Sequence, residues 1–308
     1  MKIVFFGTPQ FGADVLNNLL KTNHTVSAVV CQPDSLGNRN KVVVCPVKQL
    51  ALQQGLPCLQ FEKVSKQGID ELKQLDADVF VTAAFGQILS QEILSLPRYG
   101  VFNVHGSLLP KYRGAAPVQF SIMNGDEITG VTIMKTALAM DSGPIAAQAQ
   151  LKIEKEDNAC DVLKKLADLG SEKLCEVLDL LEKGNLTLRE QDEKEATYCK
   201  KIDNSISFID WSKSAKEIFN LIRALNPNPV AYTFLNGNVF KIYKSEFCEN
   251  RMEGENGLVV NCDKNGLIVN CGKGSLKLLS VQIAGGKVLN FKDFINGRKI
   301  KTGDILGK

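Results

Sequence analysis

The first half of the chain alternates short β-branched runs with stretches of helical period, and nothing else in the sequence narrows the fold as much. Lys2–Phe6 reads as a buried strand, Phe11–Lys21 as a helix, Thr25–Cys31 as a strand and Val47–Gln53 as a helix. Asp78–Thr82 and Gly100–Val104 read as further strands. Strands joined through helices run parallel, and the crossovers place helices on both faces of the sheet. The pattern predicts an α/β fold with a doubly wound, mainly parallel sheet. Such a sheet binds ligands beyond the carboxyl ends of its strands, where the strand order reverses. Ile128–Met134 and Pro144–Ile153 add two strands, and Asp157–Glu182 has the period of a long closing helix.

The rhythm changes after a charged, apolar-poor stretch, Lys183–Asp203, which reads as a linker. A helix over Ser212–Leu225 starts from a serine cap with Glu217 behind it. Short strands follow over Val230–Leu235, Val239–Phe247, Gly257–Asn261, Gly266–Asn270 and Leu276–Ile283. Asn236-Gly237, Asn256-Gly257 and Asn265-Gly266 are turn signals between them. This predicts a small antiparallel barrel, an architecture that nucleic-acid-binding proteins often use. The division expected is a domain over 1–185, a linker over 186–203 and a second domain over 204–308.

Composition excludes several classes. An apolar share of 44% in 308 residues builds a core without covalent staples. The nine cysteines are scattered and form no C-x-x-C pair, so reduced thiols in a cytoplasmic protein are expected, and no metal site. The apolar N-terminal run is too short for a signal peptide, and no run approaches a membrane span. Residues 204–308 carry 15 Lys+Arg against 9 Asp+Glu, which suggests a polyanionic partner.

Asn103 and His105 carry the most chemical content. Strand residues two apart point to one side, and an acid on a neighbouring loop, Asp141, fixes the histidine's tautomer in a proton-transferring or oxyanion-stabilising group. A satisfied, partly buried histidine is the plainer alternative. Asn103 at a strand end and Gly106 beside it weigh towards chemistry. No Ser or Cys elbow stands nearby for an acyl-enzyme. The other histidine, His24, reads as a surface turn residue. Gly7-Thr8-Pro9-Gln10-Phe11-Gly12 opens a helix without matching G-x-G-x-x-G or a P-loop, and reads as a tight turn whose amides could hold an anion. Ser107–Pro117 and Asp34–Cys45 are irregular loops, each open to a structural or a ligand-contacting role.

These segments together resemble the methionyl-tRNA formyltransferase family, in the folate-dependent formyltransferase superfamily. The resemblance rests on Phe6-Gly7-Thr8-Pro9-Gln10-Phe11, on Gln32-Pro33-Asp34 and Pro46-Val47-Lys48, and on Asn103-Val104-His105-Gly106-Ser107-Leu108-Leu109-Pro110 running into Arg113-Gly114-Ala115-Ala116-Pro117. It continues through Gly130-Val131-Thr132-Ile133-Met134, Asp141-Ser142-Gly143-Pro144, Ala196-Thr197-Tyr198, Ile209-Asp210-Trp211-Ser212 and Ile222-Arg223-Ala224 to Asn226-Pro227.

The resemblance implies a Rossmann-like formyltransferase domain followed by an OB-like barrel. It implies transfer of a formyl group from 10-formyltetrahydrofolate, the co-substrate, to the α-amino group of methionine on initiator tRNA. The family's catalytic trio falls on Asn103, His105 and Asp141. Asn103 and His105 would serve the oxyanion of a tetrahedral intermediate, and Asp141 the passage of the proton. The folate would lie against Ala84, Phe85, Gly86, Gln87, Ile88 and Leu89 and against Ser107, Leu108, Leu109 and Pro110. Candidate tRNA contacts are Arg39, Lys41 and Val42 in the loop after Gln32-Pro33-Asp34, with Thr8, Pro9 and Arg113. That loop departs from the family's Gly-, Arg- and Lys-rich pattern: only Arg39 and Lys41 are basic before Val42-Val43-Val44, so binding through it would be weaker or would rest more on apolar wedging. A monomer is expected. A ribonucleotide formyltransferase would have no use for residues 204–308, and a silent RNA-binding module none for Asn103, His105 and Asp141.

Overall fold

The computed structural model describes residues 1–37, 41–263, 266–297 and 299–307. They form two compact units. The first comprises Met1–Pro117, Ile128–Lys152 and Leu163–Lys200, and the second Val118–Glu127, Ile153–Val162 and Lys201–Lys308.

The first unit holds a seven-stranded sheet in the order Ile145–Lys152, Ile128–Lys135, Val101–His105, Val79–Ala83, Lys2–Gly7, Thr25–Cys31, Cys58–Gln60. The strands from Val101–His105 to Cys58–Gln60 are parallel. Ile128–Lys135 and Ile145–Lys152 extend the sheet antiparallel. Lys2–Gly7 is buried at every residue after Lys2, because helices cover both faces of a parallel sheet. Val4, Phe6, Ala28, Val30, Phe80 and Val101 gather with Val64, Leu72 and Ile93 in one core cluster, while Ile3, Phe5 and Val29 are fully buried as well. Each such side chain contributes roughly 1.5–3 kcal/mol through its burial.

Strand order reverses between Lys2–Gly7 and Val79–Ala83. Chain order rises from Lys2–Gly7 through Thr25–Cys31 to Cys58–Gln60 on one side, and through Val79–Ala83 to Val101–His105 on the other. The carboxyl ends at Gly7 and Ala83 therefore open the crevice where a doubly wound sheet takes its ligand.

In the second unit the strands run Ala231–Leu235, Asn238–Cys248, Ser275–Ile283, Gly266–Asn270, Val259–Asp263, antiparallel throughout, with Leu289–Asn290 beside Ser275–Ile283. Asn236 and Gly237 both have positive φ, 52° and 73°, as the tight hairpin between the first two strands requires. Leu306 bridges Leu235 and Ile305 bridges Leu258, joining the two edges of this sheet. Helix Ala215–Ala224 starts at a capping box between Ser214 and Glu217. It buries Ile218, Phe219 and Ile222 against Phe240, Ile242 and Leu276. Trp211 is buried there too, its indole N–H donating to Thr233 at 3.0 Å.

Several features depart from the sequence reading. Cys58–Gln60, three residues long, is too short to show alternation, and the loop 34–45 contains a small hairpin of Ser35–Leu36 with Val42–Val43. Part of the charged stretch 183–203 is docked rather than free: Arg189 bridges Ile145, and Tyr198–Cys199 pairs in parallel with Arg113–Gly114. Its charges serve a buried arginine described below. His24 stands in the turn before Thr25–Cys31, but with its side chain tucked in. Its side chain is 5% exposed, with Nε2 3.5 Å from Asp179 Oδ1, and burial lowers its pKa. Among the described residues no helix is long and apolar enough to cross a membrane.

Candidate active site

Asn103 and His105 face one side of Val101–His105, next to the crevice. Register sets Thr82 beside Asn103 and Thr132 beside His105. Thr82 Oγ1 donates to Asn103 Oδ1 at 2.8 Å, so the amide nitrogen is the end left to donate. The His105 side chain is 6% exposed. Its Nε2 lies 3.0 Å from the Tyr112 carbonyl oxygen. A carbonyl only accepts, so Nε2 carries the hydrogen of the neutral ring and Nδ1 is left as the acceptor. Nδ1 faces Asp141 Oδ2 at 3.7 Å.

Asp141 is held at its carboxylate and at its carbonyl. Its Oδ2 accepts the Gly114 N–H at 2.8 Å, and its carbonyl accepts Gln191 Nε2 at 2.8 Å. The same Gln191 nitrogen donates to the Gly143 carbonyl at 2.7 Å. Asp141 has φ 49°, a left-handed conformation that aspartate tolerates better than most residues. At Gly143 a Cβ would collide with the Lys135 carbonyl oxygen, so this turn closes only on glycine.

The two proposed folate loops are fastened from beneath. Thr132 Oγ1 donates to the Ser107 carbonyl at 2.6 Å and accepts the Leu109 N–H at 3.1 Å. Gln148 Nε2 donates to the Leu109 carbonyl at 2.8 Å, and the Leu109–Pro110 peptide is cis. Ser107 and Leu109 are buried, while Leu108 and Pro110 remain half-exposed. In the other loop Phe85 and Leu89 belong to the core, and Gln87 is a strut, donating to the Phe61 carbonyl and accepting the Val64 N–H. Thr8 Oγ1 and Gln32 Nε2 both donate to the Phe85 carbonyl. Ala84, Gly86 and Ile88 are the exposed members. Ala84 and Gly86 have φ of 50° and 83°, both in the left-handed region.

The candidate RNA contacts divide. Pro9, Lys41 and Val42 are exposed, and Thr8 is half-buried. Arg39 lies outside the described residues. Leu36 and Val42, paired across the short ladder, are 71% and 63% exposed, an exposed apolar pair. The hairpin's base is pinned by Lys48 Nζ, 2.7 Å from both Asp34 Oδ2 and Gln60 Oε1. That ammonium holds the Asp34 carboxyl below the usual carboxylate range. Arg113 is elsewhere: its side chain is 2% exposed. Nη1 and Nη2 donate to the two oxygens of Glu193 at 2.9 and 2.7 Å, and Nε and Nη2 both donate to Gln191 Oε1. The guanidinium keeps the Glu193 carboxyl below its ordinary range. A phosphate would have to displace both partners to reach it.

Thr82, Tyr112, Gln191 and Glu193 were not singled out from the sequence. The available signals were a polar residue ending the apolar run Val79-Phe80-Val81-Thr82, and the two quoted segments Arg113-Gly114 and Ala196-Thr197-Tyr198, which prove to be partners in one ladder.

A histidine and a carboxylate beside an amide donor, set at the carboxyl end of a doubly wound sheet, make an acid–base site with an oxygen-binding group. The formyl transferase pattern matches residues 1–178, and the formyl transferase C-terminal domain pattern matches residues 201–299. The chain belongs to the formyl transferase family. It is 43% identical over 309 residues to the methionyl-tRNA formyltransferase of Caldanaerobacter subterraneus subsp. tengcongensis, covering 99% of this chain and 100% of that one. It is 42% identical to that of Bacillus licheniformis, covering 99% and 98%. In fold it is similar to HypX from Aquifex aeolicus, solved in complex with tetrahydrofolic acid, with a TM-score of 0.66 at 15% identity. That match covers 98% of this chain and 48% of the other.

Proposed function

We propose that this protein transfers the formyl group of 10-formyltetrahydrofolate to the α-amino group of methionine carried by initiator tRNA. The observation that carries the reading is the 42–43% identity to methionyl-tRNA formyltransferases along the whole chain, second domain included. The crevice chemistry agrees with it. The bound folate supplies the formyl group, and the exposed backbone of Ala84 and Gly86, with Leu108 and Pro110, suits a flat heterocycle that hydrogen-bonds main chain. Asn103 Nδ2 donates to the formyl oxygen as negative charge develops there. His105 Nδ1 takes the proton that the attacking amine loses and passes it to the folate nitrogen as that nitrogen's bond to the formyl carbon breaks, while Asp141 faces the proton with a carboxylate. Tyr112 keeps the ring in this tautomer throughout.

The tRNA-contacting set is Thr8, Pro9, Lys41 and Val42, with Arg39. The basic stretch 204–308 serves the tRNA body through phosphate contacts, and residues 1–185 carry the catalytic trio. The protein acts in the cytoplasm as a monomer. The deciding experiment offers labelled 10-formyltetrahydrofolate with aminoacylated initiator tRNA, free methionine or glycinamide ribonucleotide. Label is expected on the tRNA alone; preferential labelling of the ribonucleotide would refute the reading. Arg39→Ala with Lys41→Ala is expected to raise the KM for tRNA about 3- to 30-fold at unchanged kcat, through lost phosphate contacts. Steady-state kinetics at two salt concentrations would show a shallower salt dependence as well, and an unchanged KM would remove the hairpin from the RNA surface.

A further inference from the structure

The segment 191–199 makes no contact that formyl transfer itself requires, yet the supports of both acid–base side chains pass through it. Gln191 uses every hydrogen-bonding position of its amide. Its two N–H groups donate to the carbonyls of Asp141 and Gly143, and its oxygen accepts twice from Arg113. Arg113 is fixed in turn by the forked pair with Glu193 and by Tyr198, whose hydroxyl lies 3.3 Å from Nη1. Glu193 is 67% exposed, so the ion pair alone would be weak; its value lies in directing the guanidinium. Six residues on, Thr197 grips the other side. Its hydroxyl accepts the Tyr112 N–H at 2.8 Å and its carbonyl the Arg113 N–H at 2.8 Å. That leaves the Tyr112 carbonyl aimed at His105 Nε2. Tyr112 and Asp141, at φ 59° and 49°, are both left-handed non-glycine residues. Such conformations persist only where neighbours over-determine them.

We propose that Gln191, anchored by Arg113, is a positioning residue for Asp141, and that residues 191–199 form a strap that sets the spacing between Asp141 and His105. The inference rests on the catalytic role proposed above for Asp141, and the test separates the two. Gln191→Glu keeps an acceptor for Arg113, so folding is spared, but it turns a carboxylate oxygen onto the carbonyls of Asp141 and Gly143. The expected result is a kcat lowered about 10- to 100-fold, the loss typical of an ångström-scale misplacement. Both KM values should stay within about twofold, as positioning losses fall on the chemical step. In an Asp141→Asn background the same substitution should cost nothing further, since coupled residues are not additive.

The chain's two histidines give a readout independent of turnover. With ¹⁵N-labelled histidine, Gln191→Glu should shift the His105 ring-nitrogen resonances and leave those of His24 in place. Unchanged His105 resonances in the folded variant, or a full additive loss in the double variant, would overturn the strap. If Asp141→Asn alone kept wild-type turnover, the catalytic assignment would fall, and the resonances would still decide for or against the strap.

Discussion

Replacing His105 with alanine is expected to lower formyl transfer by about 10²- to 10⁴-fold, the range that a positioned acid–base group supplies. Asp141→Asn should lose nearly as much. It keeps the volume and the contact with the Gly114 N–H, so the loss would be chemical and not steric. Neither residue lies in the hairpin that carries Lys41 and Val42, so tRNA binding should persist in both variants. A filter-binding assay beside single-turnover transfer checks the two halves. Wild-type turnover in either variant would take that residue out of the reaction, and lost tRNA binding would mean that it holds substrate instead. His105→Asn sharpens the comparison, because an amide can donate a hydrogen bond but cannot carry the proton. If it recovers most of the activity, the ring serves the formyl oxygen; if it is as slow as the alanine variant, the ring serves the proton.

Gly114→Ala is expected to be strongly destabilising. Gly114 has φ 122°, and a Cβ there would run into the Cys199 carbonyl oxygen, the partner across the short parallel ladder. Strain of about 1–3 kcal/mol for the backbone conformation adds to about 1–3 kcal/mol for overpacking. The Gly114 N–H that steadies Asp141 shifts at the same time, so activity should fall with stability. Denaturant unfolding measures the first effect. Gly184→Ala is the control, since Gly184 also has positive φ, 70°, but open space around its Cβ position. It carries the strain without the collision, and equal losses in the two variants would show that the ladder does not resist displacement.

Much of this architecture can be read from the chain, and the reasons are local. Thr25–Cys31 and Gly266–Asn270 end where their β-branched runs end. Asn236-Gly237 turns because its two residues accept positive φ. Ser214 caps its helix with the glutamate three residues later. Asn103 and His105 share a face by strand period alone, whereas Asp141 joins them through a turn that no periodicity reports. The strap was hidden for a different reason. Arg113 reads as a tRNA contact and Glu193 as one charge of a linker, and only the forked pairing of a buried guanidinium with an exposed carboxylate 80 residues away in sequence turns them into scaffold. The pairing of Ser35–Leu36 with Val42–Val43 leaves no periodic trace, because each strand is two residues long.

The pairing of Tyr198–Cys199 with Arg113–Gly114 bears on how this chain can be dissected. The formyl transferase pattern ends at residue 178, and the compositional boundary falls near 185, so a fragment stopping at either point would contain every residue of the proposed catalytic trio. It would lack the acceptor for Arg113, the donor to the Asp141 carbonyl and the hydroxyl that aligns Tyr112. The smallest piece of this protein with a complete chemical centre therefore extends through Cys199, and an excised catalytic half should be cut after that residue.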